Sequence, residues 1–208
     1  MKKRKLLKAF LAGALAFTVA GEVLPQKAVE AKTYSEKSAV DYKNLADGVY
    51  SIHVDMLHYN QEDRPGKKSM SDKGVDKEKT RLVVKNGEYK VQITFKPIER
   101  GYQGKDFKGY LGNLSYLTNS GEFKQCNILE WYSPNDTDKF MDVYKAKFPD
   151  RTAYPKVLEY PVDKNNINNG KLQTIVQVFV PVMESISENM GTQEAKPTYD
   201  FTTIKKVK

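Results

Sequence analysis

Few residues in this chain are of a type that does chemistry unaided. Two histidines, His53 and His58, and one cysteine, Cys126, stand among 208 residues, without the paired spacing of a zinc site. No nucleophile sits in a pattern with a base, no glycine-rich loop is placed to cradle phosphate, and no pair of carboxylates is arranged for acid–base work. An enzyme is therefore the least supported class. His53 has the outward parity of its strand and is expected in solvent, whereas His58 shares the inward parity at the strand end, where imidazole ligation of a metal stays open. Cys126 has no partner for an intramolecular disulfide and reads as a small buried hydrophobe, with a reactive thiol or an intermolecular bridge as the alternatives.

These residues are carried by short runs of period-two alternation. Asp47-Gly48 is a turn opening the run LADGVYSIHVDMLHY, and Asn86-Gly87 between alternating residues is a strong hairpin signal. Tyr50, Ile52, Val54 and Met56 share one strand face, and Tyr89, Val91, Ile93 and Phe95 share another, so both sets point into a core. Tyr110 to Leu117 and Phe123 to Tyr132 read as a second pair around Asn119-Ser120-Gly121. Lys156 to Val162 is a further strand, Gln173 to Met183 is the most apolar one, and Thr198 to Val207 closes the sheet. Strands at this spacing predict an all-β sandwich. Asp136 to Phe148 departs from it, placing Phe140, Val143, Tyr144 and Phe148 at helical spacing, with Asp136 or Thr137 as cap and Pro149 as stop. Tyr102 and Phe107, among Gly101, Gly104 and Gly109, are expected in a flexible turn, either folded back on the sheet or presented to a partner.

The amino terminus carries Lys2, Lys3, Arg4, Lys5 and Lys8 ahead of an apolar run from Ala9 to Ala20. That run is shorter than the roughly 20 apolar residues that span a bilayer, and small residues at Val29 and Ala31 complete a secretory signal peptide, residues 1–31. An uncleaved anchor is the alternative. Residues 32–43 are expected to form a disordered lead-in and residues 44–208 a single domain. Processing removes six basic and two acidic residues, taking the net charge from +8 to +4. An excess this small and dispersed excludes a nucleic-acid partner, but favours loose attraction to anionic wall polymers. No second apolar run follows the signal. The carboxyl end has neither a sortase-type motif nor a hydrophobic tail, so the chain is expected to be secreted or held non-covalently at the envelope.

The order of a D-G-V-Y strand, a Ser-Met loop at Ser69-Met70 and the hairpin LVVKNGEY resembles the NEAT (near-iron transporter) domain of Gram-positive haem-uptake proteins. The resemblance implies an immunoglobulin-like β-sandwich with one or two short helices, and a non-covalently held b-type haem. It also implies haemoproteins or other NEAT-type surface proteins as partners. By similarity, Ser69 would bond a haem propionate, Met70 would lie over the porphyrin, and Lys67 and Lys68 would add charge at the mouth. Val180 and Val182 would line the slot. Gly74 stands where the family often has an aromatic residue.

Members that bind haem usually place Y-x-x-x-Y at the start of the last strand. Counting forward from Val180-Pro181 puts Ser185 and Asn189 at those positions, and counting back from Tyr199-Asp200-Phe201 puts Gly191 and Ala195 there. Neither register holds a tyrosine. Two readings follow: Met190, or failing that Met183, supplies a soft thioether to the iron, or the domain grips a haemoprotein such as haemoglobin without ligating haem itself. His58 and Tyr199 are the remaining alternatives as ligands.

Overall fold

Alternation of buried and exposed side chains decides where the core lies. The computed structural model describes residues 40–102 and 105–207. The expected signal peptide, residues 1–31, lies outside the described residues, as do the side chains of Tyr102 and Phe107. The strands are β1 (Gly48–His58), β2 (Arg81–Lys85), β3 (Glu88–Thr94), β4 (Ile98–Tyr102), β5 (Lys105–Gly109), β6 (Asn113–Leu117), β7 (Phe123–Gln125), β8 (Asn127–Trp131), β9 (Pro155–Val162), β10 (Lys171–Gln173), β11 (Val176–Phe179) and β12 (Thr192–Lys206). Two short helices, α1 (Met141–Lys147) and α2 (Pro181–Ile186), interrupt them.

Hydrogen bonding runs in the order β7, β6, β11, β12, β1, β2, β3, β9, β8, with β10 also on β12 and β4–β5 forming a separate hairpin. The strands at the two ends, β7 and β8, are consecutive in the chain and separated only by Cys126. The sheet must therefore curl until its ends meet, giving a nearly closed immunoglobulin-like β-sandwich. Cys126 is buried at that seam, its amide donates to Leu114 O, and burial pushes its thiol pKa up, which makes it inert.

The expected core faces of β1 and β3 are buried, together with Leu82, Leu158, Tyr160, Tyr199 and Phe201. Asn86 and Gly87 take positive φ at the β2–β3 turn, and Asp47 caps it by accepting the Asn86 amide at 3.0 Å. Tyr42, inside the expected lead-in, packs against Phe201 and accepts the Tyr89 hydroxyl on its carbonyl, so ordered chain begins before Asn44. In place of the expected flexible turn, Ile98–Tyr102 and Lys105–Gly109 pair as antiparallel strands, with Ile98 opposite Gly109 and Tyr102 opposite Lys105. Helix α1 starts later than Asp136 or Thr137 would set it. Asp138 accepts the Phe140 amide at 2.8 Å and the Tyr154 hydroxyl at 2.8 Å, tying the helix start to an aromatic cluster of Tyr110, Tyr144, Tyr154 and Phe179.

At the centre of the main core the Tyr199 and Tyr160 hydroxyls lie 2.6 Å apart, and Tyr160 also meets the Thr174 hydroxyl at 2.9 Å. Tyr160→Phe strands Tyr199 without a partner and should lower stability by about 1–3 kcal/mol in urea denaturation. Tyr199→Phe, which leaves Tyr160 its Thr174 contact, should cost less, about 1 kcal/mol.

Candidate functional site

The Ser69-Met70 segment is held by β1. After His58 the chain loops out and returns, with the His58 amide donating to Lys67 O at 2.7 Å and the Ser69 amide to Met56 O at 2.8 Å. Ser69, extended at φ −67°, caps a 3-10 helix, Met70–Gly74, and its hydroxyl oxygen accepts the Ser71 amide at 3.3 Å and the Ser71 hydroxyl at 2.9 Å. Asp72 in that helix accepts the Met56 amide at 2.9 Å, which fixes the turn on the strand. Lys77 bridges Asp72 and Asp55, and Lys68 donates to Asp55 at 2.8 Å. Burial works to raise the Asp55 carboxyl, but hydrogen bonds from Lys68 and Lys77 overcome it and hold the pKa at about 2. Lys68 therefore has a carboxylate of its own and is no idle cation at a site mouth. Met70 is 54% exposed.

The second half of the expected site differs from its sequence reading. Gln173 to Met183 is not one strand: β11 ends at Phe179, and Pro181 opens α2. Proline at the first helical position has its φ preset and lacks an amide the helix would leave unpaired. Val180 precedes the helix in extended conformation and donates to Gly191 O at 2.8 Å, while Glu184 accepts the amides of Asn189 at 3.0 Å and Gly191 at 2.8 Å. That clasp turns the chain into β12. Met183 is half-buried within α2, whereas Met190 and Ile186 are 39% and 55% exposed.

One hairpin base joins the two halves. Ile98 Cδ1 lies 3.3 Å from where a Cβ on Gly74 would stand, and Val182 Cγ1 lies 2.8 Å from that position on Gly109. Since Ile98 and Gly109 face each other across β4–β5, the Ser69 turn and Val182 flank the same two residues. Sequence reasoning missed this bridge, whose contacts join residues distant in the chain. Gly74 is thus packed against Ile98 at the place where the resemblance leads one to expect an aromatic wall.

The remaining ligand candidates separate from this region. Tyr199 is in the core. His53 is exposed, as its parity requires, and lies 3.3 Å from Asp55. The Nδ1 of His58 accepts the Asn60 amide at 3.1 Å, and its Nε2 lies 3.5 Å from Arg64. Among the described residues no group of three or more His, Cys, Asp or Glu is placed to hold a metal ion, and no helix is long and apolar enough to cross a membrane.

No family model matches the chain. Among solved structures it is similar to NEAT5 of IsdX2, a B. anthracis hemophore, in complex with heme (20% identity, TM-score 0.45). It is also similar to a point mutant of the same domain with heme (20% identity, TM-score 0.46). In both cases 76% of this chain and 99% of the other are covered.

Asp72→Ala leaves the buried Met56 amide unpaired, at about 1–3 kcal/mol, and should raise hydrogen exchange across residues 69–74 ahead of the core strands. Asp55 has a folded pKa below its unfolded value, so its contribution is complete above the ordinary aspartate range and fades as pH falls toward about 2. The stability difference between the parent and Asp55→Asn should accordingly be flat above roughly pH 5 and shrink below about pH 4.

Proposed function

We propose that this protein binds haem, or a protein that carries it, and passes haem along a bacterial envelope, as the resemblance to NEAT domains implies. The observation that carries this reading is a set of large apolar side chains left in water at the two segments the resemblance names. Met70 stands on the Ser69 turn, Ile186 ends α2 and Met190 lies just beyond it, at 54%, 55% and 39% exposure. The donor set fits in part. Ser69 and the Lys67 cation suit a propionate, Met70 and the valines Val180 and Val182 suit the porphyrin faces, and Met190 or Met183 offers a neutral sulfur to iron. Haem, when bound, would supply the iron and the redox couple. The chain's own part is to desolvate one edge of the ring, pair its acids and present one axial ligand.

A second reading, a module that grips a haemoprotein without ligating haem, is favoured by the same exposure. Apolar side chains standing out of the fold form a contact surface, whereas a ligand normally sits in an enclosed slot. Secretion through the expected signal peptide and non-covalent retention at the wall belong to both readings. Neither includes enzymatic activity.

Titration of the purified chain with haemin should produce a Soret band. Met190→Ala should then alter the spectrum more than Met183→Ala, and the ferrous form should be favoured over a ferric state lacking phenolate charge-transfer bands. Ser69→Ala should weaken binding by roughly tenfold with little spectral change, since one hydrogen bond to a charged acid is lost and the ligand is kept. A featureless titration together with capture of haemoglobin would transfer the assignment to the receptor reading.

A further inference from the structure

The outer face of β7, β6, β11 and β12 carries a polar row that the haem reading does not use. Strand register sets Gln125 beside Ser115, Ser115 beside Gln177 and Gln177 beside Glu194, with Asn113, Phe179 and Thr192 aligned in the next row. With Lys147 and Phe148 from the end of α1, these residues, Glu194 excepted, line a groove of about 250 Å³. Arg151 stands behind it. Its guanidinium donates to Asn113 Oδ1 at 3.0 Å and Gln125 Oε1 at 2.7 Å, which turns the Gln125 amide NH2 away from Arg151. The Asn113 NH2 donates to the Ser115 hydroxyl at 3.1 Å.

Both cations here are held by neutral groups. Lys147 Nζ donates to the Thr192 hydroxyl at 3.1 Å and lies 4.3 Å from the Phe179 ring centroid. Arg151 lies 4.2 Å over the Phe148 ring and 5.8 Å from that of Trp131, the single tryptophan, itself 42% exposed. Among the described residues neither cation has an ion pair. Glu184 feels the charge of Lys147, yet its oxygens are committed to the Asn189 and Gly191 amides. Ring faces and amide oxygens fix a cation without neutralising it, so the positive charge remains available to an outside anion.

We propose that this groove is a subsite for a sugar residue bearing a carboxylate or phosphate. Lys147 takes the acid group, while Gln125, Gln177, Ser115 and Thr192 supply the mixed donors and acceptors that a ring of hydroxyls demands. The half-buried Phe148 offers an apolar edge to the sugar's C–H face. At about 250 Å³ the groove falls just below the roughly 300–1,000 Å³ of drug-sized pockets, the scale of a single sugar residue. The acid sugar could be free or a repeat of an anionic glycan, and the chemistry recognised is the same. The proposal is independent of haem binding, which uses other residues.

Isothermal titration of the full chain, with the fluorescence of Trp131 as a second readout, tests it. Glucuronate and glucose 6-phosphate should each bind at least about tenfold more tightly than glucose, the fold-change of one charge-assisted hydrogen bond. Lys147→Gln, at an exposed position that leaves the core untouched, should erase that preference, and Lys147→Arg should keep it. Gln177→Ala should weaken both acid sugars and leave any response to inorganic phosphate unchanged. Tighter binding of a glucuronate-containing oligosaccharide than of the monomer assigns the glycan as source, and equal binding assigns the free sugar. The proposal is overturned by glucose binding as well as the acids, by inorganic phosphate matching glucose 6-phosphate, by an unaltered Lys147→Gln, or by no response to any probe up to roughly 10 mM.

Discussion

The antiparallel pairing of β1 with β12 is the constraint on which the rest of the structure depends. It joins Tyr50 to Lys206 and His58 to Ala195, so that the two ends of the folded region lie side by side at the middle of the sheet. β12 also carries β11 on its other edge early in its length and β10 later, which makes it the strand through which both halves of the sandwich are registered. A slip of one residue would turn Tyr199 and Phe201 outward and Thr198 and Asp200 inward. Between Ser51 and His53 the register shifts, β12 advancing from Asp200 to Lys205 while β1 advances two residues, so the inward positions of β12 pass from Tyr199 and Phe201 to Ile204; there the Thr203 hydroxyl accepts the His53 amide at 3.0 Å.

From this pairing follows the rigidity of the Ser69 turn. Asp55 lies on β1 opposite Thr198, with its side chain on the solvent side, and there it collects Lys68 and Lys77. Asp72 reaches the Met56 amide from the other direction. Two carboxylates and two ammonium groups thereby hold a 3-10 helix too short to stand by itself. Lys68 takes part in that work with its side chain half exposed, and Ser69 and Met70 stand on the turn that it helps to hold.

Much of the sandwich was legible in the sequence because its signals are local. Period-two burial in β1 and β3, the Asn86-Gly87 turn and the Thr118 to Glu122 connection between β6 and β7 depend on residues near one another. Three features were not legible, for different reasons. Val176 to Met183 is an apolar run interrupted by Gln177 alone, and period alone does not separate a buried strand from a strand that yields to a helix; Pro181 at N1 decided it. The bridge by β4–β5 rests on contacts of Gly74 with Ile98 and of Gly109 with Val182, distant in sequence and made by glycines, whose lack of a side chain leaves no pattern to read. The polar row on the outer face was hidden too, since it is assembled from four strands by register.

The absence of a tyrosine pair from this segment also has a structural side. Counted back from Tyr199, the positions at issue are Gly191 and Ala195, and both are buried. A Cβ on Gly191 would stand 2.6 Å from a Glu184 carboxylate oxygen and 2.9 Å from the Phe179 ring, and Ala195 packs in the main core opposite Val176. A tyrosine in that register would break the Glu184 clasp or overfill the core. Counted forward from Val180, the positions are Ser185 and Asn189, exposed on α2 and on the following turn, where Asn189 takes φ +67°. A rigid aromatic side chain gains no support there from the strands behind it. With α2 in place, the positions that either register picks out are closed to a tyrosine by packing or left without a wall to support one, and the long flexible side chains on the helix and its exit are those of Met183, Glu184, Glu188 and Met190.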